Sequence, residues 1–167
     1  MRKIKALKKG MVLILTSVML FIATSIVSVL ATFVIVSRNQ KIEFEYVSRT
    51  KIALKSAAYD VYEVFLGSVA SLSKFEIAEG TRTSININSS SSNLNSNIDV
   101  KLFGNKVKGV VDYYFEYEIY TADLKVDDAE YLREASIYVK IDYLKDTTAS
   151  TDYQNPLNYA MKEMRFS

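Results

Sequence analysis

The sequence predicts an α+β chain. One long N-terminal helix, its first half a membrane span and its second half amphipathic, packs on an antiparallel sheet of three or four strands. Three observations predict this class. Met11 to Val36 is an uncharged apolar run, positions from Phe44 to Leu72 recur at helical spacing, and the chain after residue 97 alternates with a period of two.

The apolar run, MVLILTSVMLFIATSIVSVLATFVIV, spans 26 residues without charge, proline or glycine. As a helix it covers about 39 Å, enough to cross a hydrocarbon core of about 30 Å with some tilt. Its polar groups are Thr16, Ser17, Thr24, Ser25, Ser28 and Thr32, whose hydroxyls can bond carbonyls one turn back. Ahead of it lies MRKIKALKKG, with Arg2, Lys3, Lys5, Lys8 and Lys9 and no acid. The positive-inside tendency puts that tail in the cytoplasm and the C-terminal region outside, although Arg38, Lys41, Arg49, Lys51 and Lys55 weigh on the other flank. A cleaved secretory signal is the competing reading. Ala23-Thr24-Ser25 would supply its exit, but the apolar run continues eleven residues further, which favours an uncleaved anchor.

Beyond the span, Phe44, Val47, Lys51, Leu54, Ala58, Val61, Phe65, Ser68 and Leu72 follow alternating spacings of three and four. Seven of these nine are apolar, so they form the stripe of an amphipathic helix. Gly67 is the first plausible break, giving one helix from about Met11 to about Leu66. The stripe either covers the chain's own domain or meets partner helices. The expected organisation is a basic leader at 1–10, a span at 11–36, an amphipathic helix at 37–72 and a β-rich extracytoplasmic domain at 73–167.

Asn86 to Asn97, NINSSSSNLNSN, holds five Asn and five Ser and should loop out, as a connector or an exposed contact loop. Ile85 and Ile87 ahead of it suggest a weak edge strand. In Val111–Tyr120 one face carries Val111, Tyr113, Phe115, Tyr117 and Ile119, the other Asp112, Tyr114, Glu116, Glu118 and Tyr120. Ala135–Leu144 sets Ala135, Ile137, Val139, Ile141 and Tyr143 against Ser136, Tyr138, Lys140, Asp142 and Leu144. These are strands with one buried and one wet face. Ile98, Val100 and Leu102 mark a third, joined to the Val111 strand by a hairpin turn at Gly104-Asn105. Glu116 and Glu118 are placed to face Lys140 or Lys101 across the ladder. The tail from Thr147 to Ser167 ends as either a short helix or a last strand.

Lys8-Lys9-Gly10, the apolar helix and its amphipathic continuation under a sheet together resemble the type IV pilin and pseudopilin class. The resemblance covers residues 1–66 and the architecture of the remainder, and it implies a pilin-like fold. In that class prepilin peptidase cuts after the glycine, so the resemblance implies cleavage between Gly10 and Met11. It also implies assembly through the N-terminal helix with other pilin-like subunits. The class usually carries a glutamate five residues after the cut, where this chain has Leu15. Its absence resembles minor subunits at a filament tip, such as the PilX-type pilins and the glutamate-less pseudopilin of type II secretion. Arg38 to Glu63, with Lys55-Ser56-Ala57-Ala58, is similar to the PilX-type N-terminal region. The candidate assembly residues are Leu15, Phe44, Val47, Leu54 and Val61. The alternative is a single-pass anchor carrying a domain that binds a protein or a cell-wall glycan.

Histidine and cysteine are both absent, which removes the commonest general base, the commonest transition-metal ligand and all thiolate chemistry. The expectation is a protein that is not an enzyme and has no cofactor. Net charge is +2, and the excess is confined to the leader, so no nucleic-acid surface is expected. Asp123, Asp127, Asp128 and Glu130 cluster in one connection and could hold Ca²⁺, though they lack EF-hand spacing; a solvated loop is the alternative. Tyrosine is frequent, 12 of 167, and Tyr114, Tyr120 and Tyr138 fall on the wet face, where exposed aromatics suit sugars or partner proteins.

Overall fold

A computed structural model describes residues 2–71, 82–89, 93–95, 97–108, 110–126, 129–144 and 154–167. Helix α1 runs from Arg2 to Ser68, and five strands follow: β1 (Arg82–Ser89), β2 (Ile98–Val107), β3 (Val110–Tyr120), β4 (Ser136–Tyr143) and β5 (Tyr159–Phe166). The chain divides into two compact units, Met1–Glu45 and Tyr46–Ser167.

The first unit is helical from Arg2 onward. Every large apolar residue of the 11–36 run is exposed, from Met11 at 76% to Val36 at 46%, and none of its apolar window is buried. This helix is long and apolar enough to cross a membrane. Its hydroxyls turn back onto the helix, as their positions suggested: Thr16 and Ser17 both donate to the Leu13 carbonyl at 2.9 Å, and Thr24 and Ser25 donate to that of Phe21. A hydroxyl satisfied within its own helix leaves no polar demand on the surroundings.

The second unit is an α+β domain. Its sheet has the order β1-β2-β3-β4-β5, antiparallel throughout. That is one or two strands more than the sequence suggested. The weak Ile85/Ile87 signal is a full strand, β1, and the ambiguous tail is β5. One face of the sheet is apolar in continuous rows, such as Ile85–Leu102–Phe115–Ile141–Met161 and Ile119–Ile137–Phe166. The α1 stripe covers it with Leu54, Ala57, Ala58, Val61 and Phe65, joined by Val69 just beyond the helix, each no more than 1% exposed. Phe65 lies 4.2 Å from Phe115 between ring centres and edge-on to Tyr159 at 5.6 Å. Truncating such a ring costs about 3–5 kcal/mol, so this contact anchors helix to sheet. Two tyrosines tie the layers by hydrogen bonds: Tyr117 Oη donates to the Ala58 carbonyl at 2.7 Å, and Tyr62 Oη to that of Tyr159 at 3.2 Å. Gly67 does not stop the helix. It has open space around it, and α1 ends one residue later in a 3₁₀ turn at Val69–Ser71.

Two local expectations are corrected. The β2–β3 turn is not at Gly104-Asn105, because β2 continues through both and pairs Gly104 with Tyr113 and Asn105 with Asp112. Gly104 is therefore a ladder residue of β2 and not a turn residue. The ladder closes with Val107 opposite Val110, and Lys108 adopts φ 53°, the left-handed conformation that tight two-residue hairpins require. Nor does all of Asn86–Asn97 loop out. Asn86–Ser89 belongs to β1, and Leu94, only 2% exposed, plugs the core and bridges Leu124. Asn95 N–H donates to the Asp123 carbonyl at 2.6 Å, and Lys125 N–H to that of Asn93 at 3.0 Å. Leu94 and these bonds hold residues 93–95 on the domain.

Candidate functional site

The outer face of the sheet is built by the residues alternating with the core. Across four strands the row Lys101–Glu116–Lys140–Glu163 alternates in sign, so Glu116 faces both lysines suggested by the sequence. Such exposed pairs contribute a few tenths of a kcal/mol each and mainly set register. Glu118 faces Tyr138 instead.

Here hydroxyls and carboxylates pair directly. Tyr138 Oη donates to Glu116 Oε1 at 2.7 Å. Tyr120 Oη donates to Glu118 Oε2 at 3.0 Å, and Ser136 Oγ to Glu118 Oε1 at 2.6 Å. Burial, then the bond to Glu116, raises the Tyr138 phenol above its ordinary value. The bond to Glu118 does the same for Tyr120, which is about half exposed. These phenols are donors held by carboxylates rather than nucleophiles. Around them lies an open groove of about 470 Å³, lined by Asn97, Asp99, Lys101, Phe103, Glu116, Glu118, Tyr120, Asp123 and Tyr138. Its wall is mostly carboxylates and aromatic rings, a surface suited to hydrogen-bonding and stacking against an extended polar ligand.

Tyr114 departs from its expected exposure. It sits on this outer face yet is only 5% exposed, stacked on Phe103 at 5.3 Å and 15°. Lys140 Nζ lies 4.6 Å from its ring centre, with Arg82 on it as well at 5.5 Å. Neighbouring cations and an aromatic partner draw the ring inward, which alternation alone does not encode.

The candidate assembly residues separate into two groups. Leu54 and Val61 are fully buried in the domain's own core. Leu15 is 60% exposed, Phe44 76% and Val47 37%. Gly10 lies within α1, where an added Cβ would meet nothing within 4 Å among the described residues, and Met11 is exposed. Of the candidate Ca²⁺ ligands, Asp127 and Asp128 lie outside the described residues. Asp123 Oδ2 accepts the Tyr120 N–H at 3.0 Å, and Glu130 is exposed in the 3₁₀ turn Ala129–Tyr131. Among the described residues no group of three or more acidic side chains is placed to hold a metal ion.

The same connection is docked on α1. Arg133 N–H donates to Thr50 Oγ1 at 2.8 Å, Arg133 covers the Tyr46 ring at 5.3 Å, and Arg49 covers Tyr131 at 5.7 Å. No local pattern announces this clasp, because its partners lie about 80 residues apart.

No family model matches the chain, and neither a curated protein nor a solved structure matches it.

Proposed function

We propose that this chain is a membrane-anchored, extracytoplasmic subunit of the type IV pilin-like class, assembling laterally through α1. One observation carries the reading. A single helix bears 26 uncharged, exposed residues at one end and the core stripe of a β-domain at the other. In lipid, the exposed apolar surface can pack against helices of the same kind, with Leu15 removing the cost of a buried carboxylate. The basic leader stays in the cytoplasm, where prepilin peptidase would cut between Gly10 and Met11. Lacking the usual glutamate, the chain takes a minor position, at or near a filament tip. The acid–tyrosine groove favours a second reading, a single-pass anchor displaying a binding domain for a protein or wall glycan outside any filament.

The absence of native cysteine makes topology directly testable. Leu157→Cys, at a position 84% exposed, should react with a membrane-impermeant maleimide on intact cells, whereas Lys41→Cys controls for the juxtamembrane flank. Labelling at 157 only after lysis would overturn the proposed orientation.

A further inference from the structure

The two edges of the sheet differ in how they meet an approaching strand. β5 carries Lys162, Glu163 and Arg165, and its register with β4 skips Lys162: Lys140 pairs with Glu163 and Ile141 with Met161. Edge charges and a bulge both obstruct strand addition. β1 has neither device. Its one charge is Arg82 at the first position, it contains no proline, and it pairs with β2 without interruption from Arg82–Asn105 to Ser89–Ile98. Among the described residues no strand occupies its outer edge. Ile85 and Ile87 pack against the core but are only partly buried, while their β2 partners Leu102 and Val100 are fully buried. The apolar layer therefore runs out one strand before it is covered.

We infer that β1 pairs antiparallel with β1 of a second copy of this chain, about a two-fold axis through Asn86. In that register Asn86 faces Asn86 of the second copy, Ser84 faces Asn88, and Ile85 faces Ile87 twice, once on each side of the axis. Both isoleucine pairs extend the core face, the polar pairs lie on the outer face, and no charge opposes another. Centring the axis on Ile85 keeps one isoleucine pair and sets Ile87 against Thr83. A one-residue slip would bring polar and apolar faces together. The self-complementary contact closes as a dimer, since both copies use the same edge. A single strand pair is small for a stable interface in solution, but sharing a bilayer raises its effective concentration. The pairing rests on membrane anchoring for its strength and is independent of the pilin-like reading.

The test uses the full chain in phospholipid vesicles at low copy number under mild oxidation. Asn86→Cys sits at an exposed outer-face position and should convert most of the 18.9 kDa chain to a disulfide-linked species of twice that mass. Ser84→Cys mixed with Asn88→Cys should link, whereas Ser84→Cys alone and the β5-edge control Lys162→Cys should remain monomeric. The mixed pair also covers the case in which position 86 does not tolerate cysteine. Folded Asn86→Cys chain that stays monomeric together with an unlinked mixed pair would overturn the pairing. So would equal linkage through Lys162→Cys. A monomeric chain that nonetheless begins at Met11 would remove this pairing and leave the filament reading standing.

Discussion

Tyr117 shows what one residue contributes and how much of it the sequence reveals. Alternation places it on the apolar face of β3, and it is 3% exposed there. Its bond to the Ala58 carbonyl, 59 positions away, is a fact of the assembled layers that no local pattern encodes. Burial, reinforced by the neighbouring phenols Tyr62 and Tyr59, pushes its pKa far above the ordinary value of 10.0. The folded state thus holds this proton more tightly than the unfolded chain. That stabilisation is complete below pH 10 and declines as pH rises above it. Tyrosinate absorbance from the buried ring should therefore appear only together with loss of near-ultraviolet circular dichroism. A smooth titration of all tyrosines near pH 10 in a folded chain would contradict it. Tyr114 marks the opposite limit: its burial depends on Phe103, Lys140 and Arg82, contributed by three other strands, so alternation assigned it to the wet face.

At the scale of elements, period and composition revealed most of the domain. The stripe from Leu54 to Phe65, β3 and β4 are strongly periodic, and each buries the face its period specifies. What escaped was set by pairing rather than by local preference. β5 alternates poorly, YAMKEMRF, and is a strand because β4 supplies a partner. Glycine and asparagine favour turns in isolation, whereas here the ladder carries β2 through Gly104 and Asn105 to Val107. Lys108 holds a positive φ that asparagine adopts more easily. Lys108→Asn should stabilise the chain by up to about 1 kcal/mol, read as a higher thermal midpoint with unchanged secondary structure. A lower midpoint would show that the lysine side chain supports the turn.

At the scale of the whole molecule, the long helix and the α+β domain were legible because both rest on patterns tens of residues long. The outer-face groove was only partly so. Its residues could be assigned to the wet face, but the pairing of Tyr138 with Glu116 and of Tyr120 and Ser136 with Glu118 follows from register and rotamer. Whether α1 is the processed, laterally assembling anchor proposed above turns on one peptide bond. Gly10 and Met11 lie in an exposed stretch of helix, and a cut there removes every charge of the leader while keeping the apolar run intact. The decisive measurement is the N-terminus of the membrane-extracted protein, by intact mass and N-terminal peptide mapping. A processed anchor begins at Met11, with the mass of residues 1–10 absent. A chain beginning at Met1 would contradict it in favour of a simple anchor, and one beginning near Ile26 would mean that the apolar run is a cleaved signal.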